Sequence, residues 1–234
     1  MAVKYKLVCD ELEKEILQGK YPYSSKLPTE EELMKKFDVS RNTIRKAIEI
    51  LVDKGYIYQV QGSGIFLREF SKEGCIPLNG MRGLTKEFSK DVLTSELLEL
   101  IVIEADEELS EKMKCKKGTE VYHIRRIRYL NSEPYAYEES YYNKEIIPYL
   151  NKEICDDSIY EYIEKALKLN IGFADKVVYC EKLNENEAKI LGLNEGDPTL
   201  VVENTAFLNT GVVFDVSREK YNYTKAKLLS LGKN

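Results

Sequence analysis

Apolar residues recur every four positions at the start of the chain, with Val8, Leu12 and Ile16 on one face of the stretch Tyr5 to Ile16 and Gly19 just beyond it. That spacing predicts one amphipathic helix ending before the glycine. After a loop through Pro22 and Pro28, Thr29-Glu30-Glu31-Glu32 forms a capping-box pattern in which Thr29 and Glu32 satisfy each other's backbone amides, leading into a short helix through Leu33, Met34 and Phe37. The break at Asp38-Val39 is short, and Ser40 is a good N-cap for a third helix carrying Ile44, Ala47, Ile48 and Leu51 on one side. Two helices joined so tightly cross steeply, as in a helix-turn-helix. Tyr56 to Val60 then alternates as a strand, Gln61-Gly62-Ser63-Gly64 reads as a turn, and Ile65 to Leu67 returns, so a hairpin follows the third helix.

The pattern lapses between Arg68 and Gly80. We therefore expect an N-terminal domain over 1–69, a linker over 70–80 and a second domain over 81–234. The second domain reads as strand-rich with short helices: extended segments from Val92 to Ala105, a helix from Ser110 to Lys114, one from Ser158 to Leu167 capped by Ser158, and one starting at Asn184 and ending before Gly192. Gly118-Thr119-Glu120 opens a run to Tyr129-Leu130-Asn131, and Gly196-Asp197-Pro198 opens a similar run to Phe207-Leu208-Asn209. This repeat predicts two helix-then-hairpin halves around an antiparallel sheet, an α+β arrangement.

Composition narrows the class. At 234 residues, 43% hydrophobic and 32% charged, the chain suits two modest domains. No apolar run is long enough to span a bilayer, and the N-terminus lacks the apolar stretch of a secretory signal, so a cytoplasmic protein without membrane partners is expected. Five scattered cysteines without a C-x-x-C pair suggest neither a disulfide framework nor a zinc site, and no metal or cofactor is expected. The net charge of -5 does not favour nucleic acid, but residues 1–70 hold twelve Lys and Arg against eleven Asp and Glu, so the acidic excess lies behind the helix-turn-helix.

Opposite its apolar stripe the third helix presents Arg41, Asn42, Arg45, Lys46 and Glu49, with Arg41, Asn42 and Thr43 in its first turn. First-turn residues of such a helix reach base edges, and its positive end favours phosphate. Glycines at 62 and 64 would let the hairpin tip approach a duplex closely. Read without a relative, these features also fit a three-helix bundle with solvated arginines. The runs Lys26-Leu27-Pro28-Thr29-Glu30-Glu31-Glu32-Leu33, Val39-Ser40-Arg41-Asn42-Thr43-Ile44-Arg45-Lys46-Ala47, Gly55-Tyr56-Ile57 and Gly62-Ser63-Gly64-Ile65-Phe66-Leu67 resemble the DNA-binding domain of GntR-family regulators. The resemblance implies DNA contacts by Arg41, Asn42, Thr43 and Arg45, supported by Thr29, Ser40 and Lys46, with a wing of Gly62, Ser63 and Gly64 in the minor groove. Glu31 and Ser63 depart from the pattern, where many members carry Arg and a Lys or Arg. Losing one base-reading arginine and one wing cation implies an altered operator or weaker binding.

In the second domain, Ile124, Arg126, Arg128 and Leu130 share one strand face, and Arg125 and Ile127 the other. With Asn131-Ser132-Glu133 as the loop, Glu138 falls opposite Arg126. Two arginines so spaced can grip one anion, or can be surface charges that neutralise Glu138 and Glu139. Arg126-Ile127-Arg128, Glu138-Glu139-Ser140, Ser158 to Ile163 and the end strand from Phe214-Asp215 to Tyr221 resemble the UTRA effector domain of HutC-type regulators. That resemblance implies a chorismate-lyase-like fold in a homodimeric repressor on double-stranded operator DNA, released by a small anionic effector such as a sugar phosphate. It places phosphate on Arg126 and Arg128, with help from Thr85 and Lys86, and the rest of the ligand on Glu138, Ser158, Asp215 and Tyr221.

Two other readings stay open: an enzyme built on that domain, and a dimeric DNA binder that senses nothing. The enzyme is disfavoured because the sole histidine, His123, has no evident partner. Tyr135, Tyr137, Tyr141 and Tyr142, in a chain of 17 tyrosines, suit a half-buried sheet or subunit interface better than base stacking.

Overall fold

The apolar periodicity folds as it predicts. In the computed structural model, which describes residues 4–69, 75–78 and 93–230, α1 (Lys4–Leu17), α2 (Glu30–Phe37) and α3 (Arg41–Asp53) precede the antiparallel hairpin β1 (Ile57–Val60) and β2 (Gly64–Leu67). Val8, Leu12, Leu33, Ile44, Ala47, Ile48, Leu51 and Leu67 are buried in one core. Both halves of the capping box form, with Thr29 N donating to Glu32 at 2.7 Å and Glu32 N to the Thr29 hydroxyl at 3.3 Å. The turn into α3 needs a left-handed residue, supplied by Asp38 at φ +50°. Buried carboxylates then tie α1 to its neighbours: Glu13 takes Lys54, and Glu15 takes Lys36 at 2.5 Å. Against the upward push of burial, hydrogen bonds from Lys20, Lys36 and Tyr21 hold Glu15 at about 2.

The chain divides into two compact units, Met1–Gly80 with Leu229–Asn234, and Met81–Leu228. Within the stretch expected to be a plain linker, β3 (Cys75–Pro77) is a strand and pairs with β10 (Lys227–Leu229). A three-residue strand leaves almost no alternation to read.

The larger unit runs β4 (Leu93–Glu104), α4 (Glu107–Met113), β5 (Glu120–Leu130), β6 (Glu133–Asn143), α5 (Lys152–Asp156), α6 (Ile159–Lys165), β7 (Ile171–Lys182), α7 (Glu185–Leu191), β8 (Pro198–Leu208) and β9 (Val213–Asn222). Its six strands form one antiparallel sheet in the order β4-β5-β6-β9-β8-β7, an α+β fold. The repeat is real: strand, short helix and hairpin occur twice, and the two hairpins meet where β6 pairs with β9. Even the irregularities repeat. Each hairpin carries a bulge, at Tyr135 in the first and Phe214 in the second, and both extra residues are fully buried. α4 starts three residues before the expected Ser110, because Asp106 caps it by accepting from Leu109 N at 2.9 Å.

One sheet face packs under α5 and α6 through Tyr122, Ile124, Tyr142, Ile159, Ile163 and Phe214. On the other face α4 lies against β9 and α7 against β6, so each half's helix covers the other half's hairpin.

Candidate DNA-binding face and effector pocket

The polar side of α3 is exposed at Arg41, Asn42, Arg45 and Lys46. Its arginines are not idle. Arg41 reaches Glu31 at 3.3 Å and Glu30 at 3.7 Å, while Arg45 Nε donates to both Glu30 oxygens at 3.1 and 3.2 Å. The carboxylates sit in the first turn of α2, where the helix dipole favours them. Exposed pairs of this kind contribute roughly 0–1 kcal/mol each, so phosphate can displace them at small cost. Ser40 caps α3, accepting from Thr43 N at 3.4 Å with its hydroxyl 3.0 Å from that of Thr43. Lys46 lies over the Tyr5 ring at 4.6 Å. At the hairpin tip Ser63 is exposed, and Gly62, at φ +76°, has nothing within 4 Å of where a Cβ would stand.

In the larger unit the structure brings Arg126, Arg128 and Glu138 together on the buried sheet face. Arg126 lies directly opposite Glu138, donating to it at 2.5 Å and to the Cys155 carbonyl at 2.6 Å. Arg128 approaches the other oxygen of Glu138 at 3.7 Å, and the Ser140 hydroxyl donates to Glu138 at 2.8 Å. Burial opposes ionisation of Glu138, but Arg126 and Arg128 outweigh it and hold the carboxyl below its usual range. Two guanidiniums thus converge on one carboxylate, with a second carboxyl, Glu219, also acting on Arg128.

Nearby on β9, Asp215 accepts at one oxygen from Tyr160 at 2.7 Å, Asn204 at 3.2 Å and Ser217 at 3.2 Å. Its other oxygen, Oδ1, is buried and has no hydrogen-bond partner among the described residues. Burial pushes Asp215 up to about 7. Glu219, beside Glu138 across the β6–β9 ladder, is raised by burial and by that neighbour, and receives the Tyr221 hydroxyl. Ser158 caps α6 by accepting from Glu161 N at 3.2 Å. Thr85 and Lys86 lie outside the described residues.

Glu139 is not part of this group. It sits on the opposite face, accepting from Arg125 at 3.1 Å and lying 2.7 Å from His123 Nε2. The expectation that His123 has no partner is therefore wrong: it is bonded to Glu139 and stacked on Tyr141 at 4.6 Å. Those bonds from His123 and Arg125 hold Glu139 at about 2.

Sequence reasoning also missed Tyr160, Asn204 and Ser217. A signal existed for two of them, since Asn204 opposite Ser217 occupies in the second hairpin the place of Arg126 opposite Glu138 in the first.

Comparison with known proteins identifies both units. Residues 4–67 match the bacterial regulatory proteins of the gntR family, and residues 89–227 match the UTRA domain. The chain is 40% identical to the HTH-type transcriptional regulator YydK of Bacillus subtilis over 97% of this chain and 96% of that protein. It is 29% identical to the HTH-type transcriptional repressor NagR of the same organism, over 93% and 89%. The crystal structure of YydK superposes with a TM-score of 0.80 at 39% identity, covering 99% of this chain and 100% of that one. The chain belongs to the GntR family of bacterial regulatory proteins, and behind its helix-turn-helix it carries a UTRA domain.

Proposed function

We propose that this regulator is a cytoplasmic homodimeric repressor, released from its operator by a small anionic metabolite of the sugar-phosphate class. The observation that carries the reading is the buried pair of guanidiniums, Arg126 and Arg128, gathered on Glu138, together with an Asp215 oxygen that has no hydrogen-bond partner among the described residues. Guanidinium forks fit phosphate oxygens, and Asp215 and Glu138 accept hydrogen bonds from hydroxyls. An anion at one end and hydroxyls along the body meet both demands.

On this reading residues 1–69 bind DNA, 70–80 connect, and 81–234 sense the ligand and dimerise. Arg41, Asn42, Thr43 and Arg45 enter the major groove, and Gly62, Ser63 and Gly64 the minor groove. Two copies of α3 occupy successive major grooves about 34 Å apart on a nearly palindromic site. Ligand binds more tightly to a state that is off that spacing, and by linkage the operator weakens ligand binding by the same factor. Dimerisation through the sheet is supported by the outermost strands: β4 exposes Leu98, Ile101 and Val102, and β7 exposes Phe173, Val177 and Val178.

The test uses the full chain and an operator selected from random duplexes. Arg126→Ala with Arg128→Ala should leave operator affinity within about threefold but abolish release by sugar phosphates. In the wild type, a ligand at about a hundred times its Kd should stabilise by about 2.7 kcal/mol. Loss of the response in wild type, or an intact response in the double variant, would refute the proposal; conversion of the ligand to product would favour an enzyme.

A further inference from the structure

The wing lacks a cation at Ser63, yet the structure puts one beside it from elsewhere in the chain. The loop before α2 is hydrogen-bonded along the outer edge of β2: Leu27 N donates to Ile65 O at 2.8 Å, Leu67 N donates to Ser25 O at 2.9 Å, and Lys26 bridges to Phe66. Lys26 is thereby built into the wing as a third strand rather than left on a loose loop. Its side chain crosses the bare face of Gly64. A Cβ there would lie 2.6 Å from Lys26 Cε, 3.7 Å from its Cδ and 3.3 Å from its Nζ. The glycine at φ +123° thus does two things: it takes a backbone conformation that L side chains rarely adopt, and it leaves the channel in which the lysine stem lies.

Lys26 is exposed, and no carboxylate among the described residues lies within ion-pair distance of it. Glu32, on which Lys26 acts through space, has its carboxylate held by Thr29. Arg41 and Arg45, by contrast, are held by Glu30 and Glu31. A stem already laid along a groove loses less rotamer freedom when its ammonium meets an anion.

We propose that Lys26, lying across Gly64, is the phosphate-binding cation of the wing and takes over the role that residue 63 cannot fill. The inference rests on the DNA-binding reading of the wing and adds to it a contact from a segment that precedes the helix-turn-helix. The contact is to backbone phosphate, so it is independent of base sequence.

The experiment measures binding of the full chain to a random-sequence duplex by fluorescence anisotropy, from about 50 to 200 mM salt, where each phosphate neutralised contributes about -0.9 to the log–log slope. Lys26→Met keeps the stem and removes the charge. It should make the slope shallower by about 0.9, with affinity down severalfold near 0.1 M salt and thermal midpoint unchanged. Lys26→Arg should retain the slope, and Ser63→Lys placed on Lys26→Met should restore it. An unchanged slope in Lys26→Met, alongside a shallower slope in Arg45→Ala, would overturn the role of Lys26 and leave the DNA-binding reading standing. Failure of the wild type to bind duplex even at the lowest salt would overturn both.

Discussion

Replacing Glu138 by Gln tests whether the pocket is balanced as the geometry requires. The change keeps volume but replaces one acceptor oxygen by an NH2 donor and removes the carboxylate shared by Arg126, at 2.5 Å, and Arg128, at 3.7 Å. Unit charges about 4 Å apart attract by about 4 kcal/mol at an effective dielectric of about 20, so roughly twice that is forfeited across the two arginines. Part returns because a buried carboxylate is no longer stripped of water, and buried pairs broken on one side lose about 3–5 kcal/mol net. For a domain of this size that corresponds to roughly 2–4 °C per kcal/mol, or a fall of about 6–20 °C in midpoint. The assay is thermal unfolding of the full chain with phosphate exchanged for chloride at constant ionic strength. Phosphate should recover more of the midpoint in Glu138→Gln than it adds to wild type, since the two guanidiniums have then lost the carboxylate they share. Arg126→Met combined with Glu138→Gln should be more stable than Glu138→Gln alone. A variant that melts with the wild type and responds equally to phosphate and chloride would refute this account of the charge balance.

Asp215→Asn addresses pH. Because the folded carboxyl titrates near 7 and the unfolded one near 4, the unfolded state holds fewer protons between those values. Stability is then lost as pH rises through that window, by on the order of 4 kcal/mol. The variant should gain on wild type between about pH 5 and pH 8 in urea titrations, and an equal difference at both pH values would count against it. Glu31→Arg, at the exposed carboxylate that holds Arg41, should tighten random-duplex binding and steepen the salt slope by about 0.9. An unchanged slope would mean that Glu31 lies away from the phosphates.

The first unit was legible because its signals are local. Val8, Leu12 and Ile16 in α1, and Ile44, Ile48 and Leu51 in α3, repeat with the helix period, and Thr29 and Ser40 are capping residues whose partners lie three positions away. The sheet was legible only in part. Glu138 was expected opposite Arg126 through a three-residue loop, but the turn is Asn131-Ser132 alone, both residues left-handed at φ +51° and +65°. The bulge at Tyr135 supplies the residue that the turn lacks, so Glu138 still faces Arg126. A bulge depends on what the extra side chain packs into, and Tyr135 is fully buried against distant neighbours including Tyr221. The partners His123 with Glu139 and Tyr160 with Asp215 were invisible for the same reason: they are set by register and by helix placement across 16 and 55 residues of chain.

The duplicated hairpins sharpen the reading of the ligand. The two halves share topology and bulge position but not chemistry. Where the first carries Arg126, Arg128 and Glu138, the second carries Asn204, Ala206 and Ser217. A ligand seated between them therefore meets fixed positive charge on one side only. On the other side it meets Asn204 and Ser217, together with two carboxyls that burial pushes up, Glu219 and Asp215, the latter to about 7. A dianion with charge at both ends would leave one end without a counter-charge, at several kcal/mol for an ion in a buried site. A neutral sugar would bring the two guanidiniums no anionic partner of its own. On the proposed reading the effector is anionic at one end and hydroxylated at the other, oriented by the asymmetry that the second copy of the hairpin introduces.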